Sequence, residues 1–143
     1  MRALLDVNML LALFDSGHMF HGKAREWWRG NMSHGWASCP LTQNGFLRVI
    51  SQPRYKRPVR LPDAVKVLRD WTVPPVHAFW PDDVSVLDTG VIDHARLLTP
   101  RQITDVYLLA LAVAHGGRLV TLDRAIPLAA APGAEAAHLH VIT

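Results

Sequence analysis

Residues 99–124 read TPRQITDVYLLALAVAHGGRLVTLDR. The stretch predicts one helix, one turn and one strand. Thr99 is a good N-cap, Pro100 suits the first helical position, and Gln102 completes a T-x-x-Q capping box. The helix is expected from about Pro100 to His115, with Gly116-Gly117 as a left-handed stop. Arg118 to Leu122 then forms a β-rich run that ends on Asp123. Nearly every residue from Val106 to Ala114 is apolar, so the helix should be buried almost all round. Asp105 breaks that pattern. Read as a second-turn residue, it shares a face with Leu108, Leu109 and Ala112, where a carboxylate needs a partner, a proton or a metal. Asp123, at the carboxyl end of a buried strand, falls where open α/β sheets carry their sites.

At the other end of the chain, Ala3 to Asp6 reads as a buried strand that feeds at once into a helix from Val7 to about Phe14. The Asp-x-Asn at that junction puts Asp6 and Asn8 at the sheet's carboxyl edge; the plainer role for Asp6 is a helix cap. Ser16 is expected to cap a second helix, His18 to Arg29, with Phe20, Ala24, Trp27 and Trp28 inward. Gly35 to Ser38 is a short strand, and Pro40 opens a third helix through about Ile50. Gln43 shares its face with Phe46 and Leu47, so an amide points inward; the plainer reading is a satisfied hydrogen-bonding group.

Residues 52–62, QPRYKRPVRLP, form the most basic stretch. Cations around Tyr55 suit a solvated loop and nucleic-acid contact equally. A fourth helix is expected to about Trp71 and a strand over His77 to Trp80. Asp82 and Asp83 read as turn and cap residues. A short helix over Gly90 to Leu98 and a closing strand over His138 to Ile142 complete the pattern. Strands alternating with helices imply an α/β fold with a parallel sheet covered on both faces.

The totals fit one domain over residues 1–143, half of it hydrophobic and 19% charged. A net charge of +3 and a pI near 9.5 favour an acidic partner such as nucleic acid. The single cysteine, Cys39, excludes an internal disulfide and fits a reducing compartment. No apolar run approaches the roughly 20 residues of a membrane span. Asp6 and Asn8 interrupt the N-terminal apolar run and no cleavage site follows, so the expected location is the cytoplasm.

In a parallel sheet, Asp6, Asp105 and Asp123 converge on one edge. Three carboxylates there repel unless cations hold them, and oxygen-only ligation suits Mg²⁺ or Mn²⁺. The eight histidines offer no ligand spacing beyond His138-x-His140, which disfavours zinc.

LLDVNMLLALF (4–14), CPLTQNGFLRVIS (39–51) and TDVYLLALAVAHGGRLVTLDR (104–124) together resemble the PIN-domain ribonucleases, and among them the VapC-type toxins of bacterial toxin–antitoxin pairs. The resemblance implies a three-layer α/β/α PIN-like fold with a central, mostly parallel sheet. It also implies a Mg²⁺-dependent endoribonuclease toxin of a type II system, an RNA substrate, a cognate antitoxin that blocks the site, and a homodimer. Carried over residue by residue, Asp6, Asp105 and Asp123 match the acidic positions, Asn8 and Thr104 match neighbouring polar ones, and Thr121 is a lesser candidate.

Cleavage by a metal-activated water would then leave a 5′-phosphate and a 3′-hydroxyl. Arg124 would touch phosphate, and Arg54, Lys56 and Arg57 would guide the RNA backbone. One departure stands out: Gln43 replaces the family's glutamate. A glutamate there would be expected to raise Mg²⁺ affinity and cleavage by one or two orders of magnitude, roughly 1.4–2.8 kcal/mol. The alternative is a catalytically weakened PIN module that binds RNA or antitoxin. A third reading, a phosphoaspartyl protein with Asp6 as nucleophile, is disfavoured by Asn8 where a second acid is needed and by the scarcity of lysine (Lys23, Lys56, Lys66).

Overall fold

The computed structural model describes residues 1–143. β1 (Ala3–Leu5) runs into α1 (Val7–Phe14) with no linker, because Asp6 caps the helix through a carboxylate that accepts from the Val7 amide. There follow α2 (His21–Asn31), β2 (Trp36–Ser38), α3 (Pro40–Ile50), α4 (Leu61–Trp71), β3 (His77–Phe79), α5 (Gln102–Ala114), β4 (Arg118–Thr121) and β5 (Leu139–Val141). The strands pair in the order β3-β2-β1-β4-β5, and every pair is parallel.

Alternate strand residues face opposite layers. Ala3, Leu5, Trp36 and Val120 pack with residues of α1 to α4, including Met9, Trp28, Phe46 and Leu68. Leu4, Ala37 and Leu119 pack on the other face with Leu108, Leu109, Leu111 and Ala112 of α5. This is the three-layer α/β/α arrangement, with a sheet that is parallel throughout. Trp28 and Trp36 are buried in the first core and Trp27 packs against it. Phe14 and Phe20 are also partly buried against this core, whereas Met19 is 89% exposed. No helix is long and apolar enough to cross a membrane.

Three local expectations change. α2 starts at His21, not His18: its N-cap position is Phe20, and Ser16 does not cap it. The chain instead turns through Gly17, whose amide donates to Asp15, and through Phe20, whose amide donates to the His18 ring. The helix expected over residues 90–98 is only a 3₁₀ turn, His94–Arg96. α5 begins at Gln102, whose side chain accepts from the Leu98 and Thr99 amides. Half of the capping box is thus present, but Thr99–Arg101 form a separate turn, and Asp105 moves into the helix's first turn.

Gly116 has φ +67, the left-handed stop that a Cβ would strain. At Gly117 a Cβ would stand 2.5 Å from the Arg2 carbonyl oxygen, so only glycine lets β4 start against β1. That close approach sets the register that matters most, Leu5 opposite Val120. One residue further on, Asp6 stands beside Thr121. The chain leaves β1 towards β2 on one side and returns to β4 on the other, so the gap beyond these strand ends is a topological switch point.

Candidate active site

Asp6 is 6% exposed. One carboxylate oxygen accepts from the Val7 amide at 2.7 Å and the other from the Thr121 hydroxyl at 2.7 Å. The cap role is therefore real but uses only one oxygen. Thr121, fully buried, is the hub. Its oxygen also accepts from the Asn8 side-chain amide at 3.2 Å and from the Asp123 backbone amide at 3.1 Å. Asn8 accepts in turn from the Leu122 amide at 3.1 Å, which fixes its orientation and ties α1 to the end of β4. Asp123 accepts from the Ala125 amide, which shapes the turn that carries it.

Asp105 approaches from α5. Its carboxyl is pushed up to about 7, first by burial, then by the charge of Asp6 and by the hydrogen bond and charge of Asp123; Arg101 opposes this. Burial also raises Asp6, against the bonds from Thr121 and Val7, and Asp123 adds to the rise. The three carboxylates thus act on one another at the switch point. Asp6 and Asp105 open into a cleft of about 920 Å³ that is also lined by Thr104, Asn44, Gly45 and Arg48.

The PIN domain family matches residues 3–132. Ribonuclease VapC44 of Mycobacterium tuberculosis is 57% identical over 139 residues, 97% of this chain and 98% of its own. This chain is a PIN-domain protein of the VapC family. Ribonuclease VapC39 of the same organism is 39% identical, over 93% of this chain and 96% of its own. A solved structure, VapBC2 from Rickettsia felis bound to a DNA fragment from their promoter, shares the fold with a TM-score of 0.58 at 12% identity. That match covers 86% of this chain and 89% of the other.

The donors in this PIN domain are hard oxygens: carboxylates, an amide and hydroxyls. No three His, Cys, Asp or Glu side chains close into a metal cage. A divalent cation here would take one or two carboxylates directly and keep several waters. Burial first, and the neighbouring like charges second, leave Asp105 in need of a proton or a cation.

Gln43 is not brought into this group. Its amide donates to Ser38 Oγ at 2.9 Å, and Ser38 Oγ lies 2.8 Å from His77 Nε2. Burial, then Arg2, lowers His77 to about 4, so the ring is neutral in the chain Gln43–Ser38–His77. Gln43 lines a cavity with Leu47, Leu68 and Arg69, between α3 and α4, and Leu47 is shared with the acidic cleft. The large gain expected for Gln43→Glu shrinks accordingly. The new carboxylate would accept from Ser38, and a Mn²⁺ titration should find cation affinity changed by less than tenfold.

The sequence pattern missed Asn44 and Arg48. Leu41, Asn44, Gly45 and Arg48 follow the i, i+3, i+4, i+7 spacing of a helix face, and this face of α3 lines the cleft together with Leu47.

The basic loop divides in two. Arg57 makes a bidentate pair with Asp15 at 2.7 and 2.8 Å, and Tyr55 donates to the same carboxylate at 2.7 Å. Hydrogen bonding from Arg57 holds Asp15 well below the usual carboxylate range, against its burial. Arg57 therefore anchors the loop to the end of α1 and is not the free phosphate contact expected. Arg54, Lys56 and Arg124 are exposed, without ion pairs.

Proposed function

We propose that this protein is the endoribonuclease toxin of a type II toxin–antitoxin pair, acting in the cytoplasm with Mg²⁺ or Mn²⁺. Asp6, Asp105 and Asp123 would hold the cation. The observation that carries this is Asp105: a carboxyl pushed up to about 7 by burial and by two neighbouring acids, one of which shares its cleft. The names of the curated relatives support the substrate class. A cognate antitoxin and a second copy of the chain are the proposed partners.

A bound divalent cation supplies an acidified water and neutralises charge on the scissile phosphate. The chain's own residues do the rest. Thr121 and Asn8 hold Asp6 at the cleft's edge and keep α1 and β4 in register. Thr104 and Arg48 face the cleft, where a hydroxyl and a guanidinium can orient a phosphate. The weakened-module alternative rests on Gln43, whose amide donates to Ser38, and the cleavage assay distinguishes it from the active enzyme.

Incubating purified protein with RNA, with Mg²⁺ and with EDTA, tests the reading: cleavage should need the ion and leave 5′-phosphates, and cleavage that persists in EDTA would refute it.

The loop carries its own prediction. Replacing Arg54, Lys56 and Arg124 by glutamine should reduce the slope of log affinity against log salt for single-stranded RNA by about 2. Arg57→Gln should leave that slope nearly unchanged, since its charge is already paired, and should lower the melting temperature instead. Fluorescence anisotropy at several salt concentrations checks both.

A further inference from the structure

A second cavity, of about 570 Å³, adjoins the acidic cleft. Leu41 and Thr104 line both, so the two are neighbours. Its walls are Leu41, Val84, Val86 and Ile103, and its polar groups include Asp82 and Ser85. Neither the sequence pattern nor the proposed cation site accounts for it.

Asp82 is exposed and pairs with no cation, whereas its neighbour Asp83 pairs with His115 at 3.0 Å. After burial, its charge helps raise the Cys39 thiol and the Tyr107 hydroxyl, and Tyr107 lines the same cavity. A carboxylate only accepts hydrogen bonds. A cavity that holds one repels phosphate, and a purely apolar occupant would bury the charge without compensation. The fitting occupant is flat, apolar on its faces, and rich in N–H donors on one edge. Ser85 adds the opposite polarity: its Oγ accepts from the Leu87 amide at 3.1 Å, which leaves the hydroxyl proton free to donate.

We propose that this cavity is a base-binding subsite for a guanine next to the scissile phosphate, with Asp82 accepting from N1–H and the 2-amino group and Ser85 donating to O6. The proposal rests on the ribonuclease reading for the identity of the strand, while the cavity's chemistry stands independently. Guanine is the base that offers two adjacent donors followed by an acceptor. Uracil offers a single N–H between two carbonyls, which a carboxylate repels. Cytosine and adenine offer an amino group beside an acceptor nitrogen, so they match half of the pattern. A bidentate pair of this kind discriminates by roughly tenfold or more.

The test has two arms. In the first, short single-stranded RNAs that differ only in the bases flanking the cleaved bond are cut by wild type and by Asp82→Asn under single-turnover conditions. Wild type should prefer guanosine to uridine at one flanking position by at least tenfold, and Asp82→Asn should remove most of that ratio. In the second, guanosine and uridine monophosphates are titrated into metal-free protein, read by the methyl resonances of Val84, Val86 and Ile103. Only the guanosine nucleotide should move them, and Asp82→Asn should suppress the shift.

Cleavage with no base preference, or with the same preference in Asp82→Asn, would overturn the subsite while leaving the ribonuclease standing. Guanosine-specific shifts with no cleavage of any RNA would support the subsite and refute the ribonuclease. Methyl shifts that arise only with the co-expressed antitoxin, and with neither nucleotide, would assign the cavity to a protein partner and overturn the proposal.

Discussion

Asp105→Asn should abolish RNA cleavage and, in EDTA at neutral pH, leave a more stable protein. The amide has nearly the same volume and removes both the burial of a charge and the repulsion from Asp6 and Asp123, which together push the carboxyl up to about 7. The sign of the pH dependence follows. The native state binds this proton more tightly than the unfolded chain, whose carboxyl titrates near 3.8. Stability from this group is complete below about pH 4 and is lost as pH rises through about 7.

His77 runs the other way, since its lowered pKa of about 4 costs stability as pH falls from 6.5 towards 4. The difference between wild type and Asp105→Asn cancels His77 and isolates Asp105. That difference should be near zero at pH 4 and favour the variant at pH 8. The carboxyl is only half-buried, so solvent screens its neighbours. A gain of about 1 kcal/mol, or roughly 3–5 °C, is expected. Thermal melts across pH check it, and a variant that unfolds instead would mean that Asp105 is a structural hydrogen-bonding residue.

Thr121→Val should be nearly as damaging to function, although Thr121 is not expected to touch RNA or the ion. Valine fills the same space, but three groups lose their partner: the Asp6 carboxylate, the Asn8 side-chain amide and the Asp123 backbone amide. Unsatisfied buried polar groups cost about 1–3 kcal/mol each, and some will find water at the cleft. A net destabilisation of about 2 kcal/mol is therefore expected from denaturant melts. Freed from Thr121, Asp6 loses its fixed direction, and groups of this kind typically lower metal affinity or activity by roughly 10–100-fold. Serine restores the hydroxyl, so Thr121→Ser should recover most of the cleavage. Failure of serine to rescue would show that the methyl group's packing, not the hydroxyl, matters here.

What could be read from sequence follows from how local each signal is. α1 and α3 span Val7–Phe14 and Pro40–Ile50 as expected, because Asp6 and Pro40 act within one turn of their own helices. The apolar surround of α5 and the placement of Asp6 and Asp123 at strand ends follow from simple periodicity and from the parallel sheet. The failures at Arg57 and Gln43 involve contacts that no local pattern shows. Asp15 meets Arg57 across 42 residues, and no local pattern distinguishes that anchored cation from Arg54 or Lys56.

Gln43 turns to Ser38 because β2 and α3 meet there, with His77 of β3 behind them. That geometry exists only once the sheet is formed. Asn44 and Arg48, by contrast, were within reach of the helical period. The face containing Phe46 and Leu47 drew attention away from the one containing Gly45, whose missing Cβ leaves room for the Val7 side chain; a Cβ would stand 2.6 Å from it. The loop over residues 84–98 has little regular structure and carries the wall of the second cavity, so its role depended on tertiary contacts alone.

The central claim is that Asp6, Asp105 and Asp123 form one cation site for phosphodiester chemistry. Calorimetric titration of Mn²⁺ at pH 7, in two buffers of different ionisation enthalpy, tests it most directly. Because burial and its acidic neighbours push Asp105 up to about 7, wild type should bind the ion and release protons as it does so. Asp105→Asn should bind at least tenfold more weakly and release fewer. No binding by wild type, or equal affinity in Asp105→Asn, would contradict the claim.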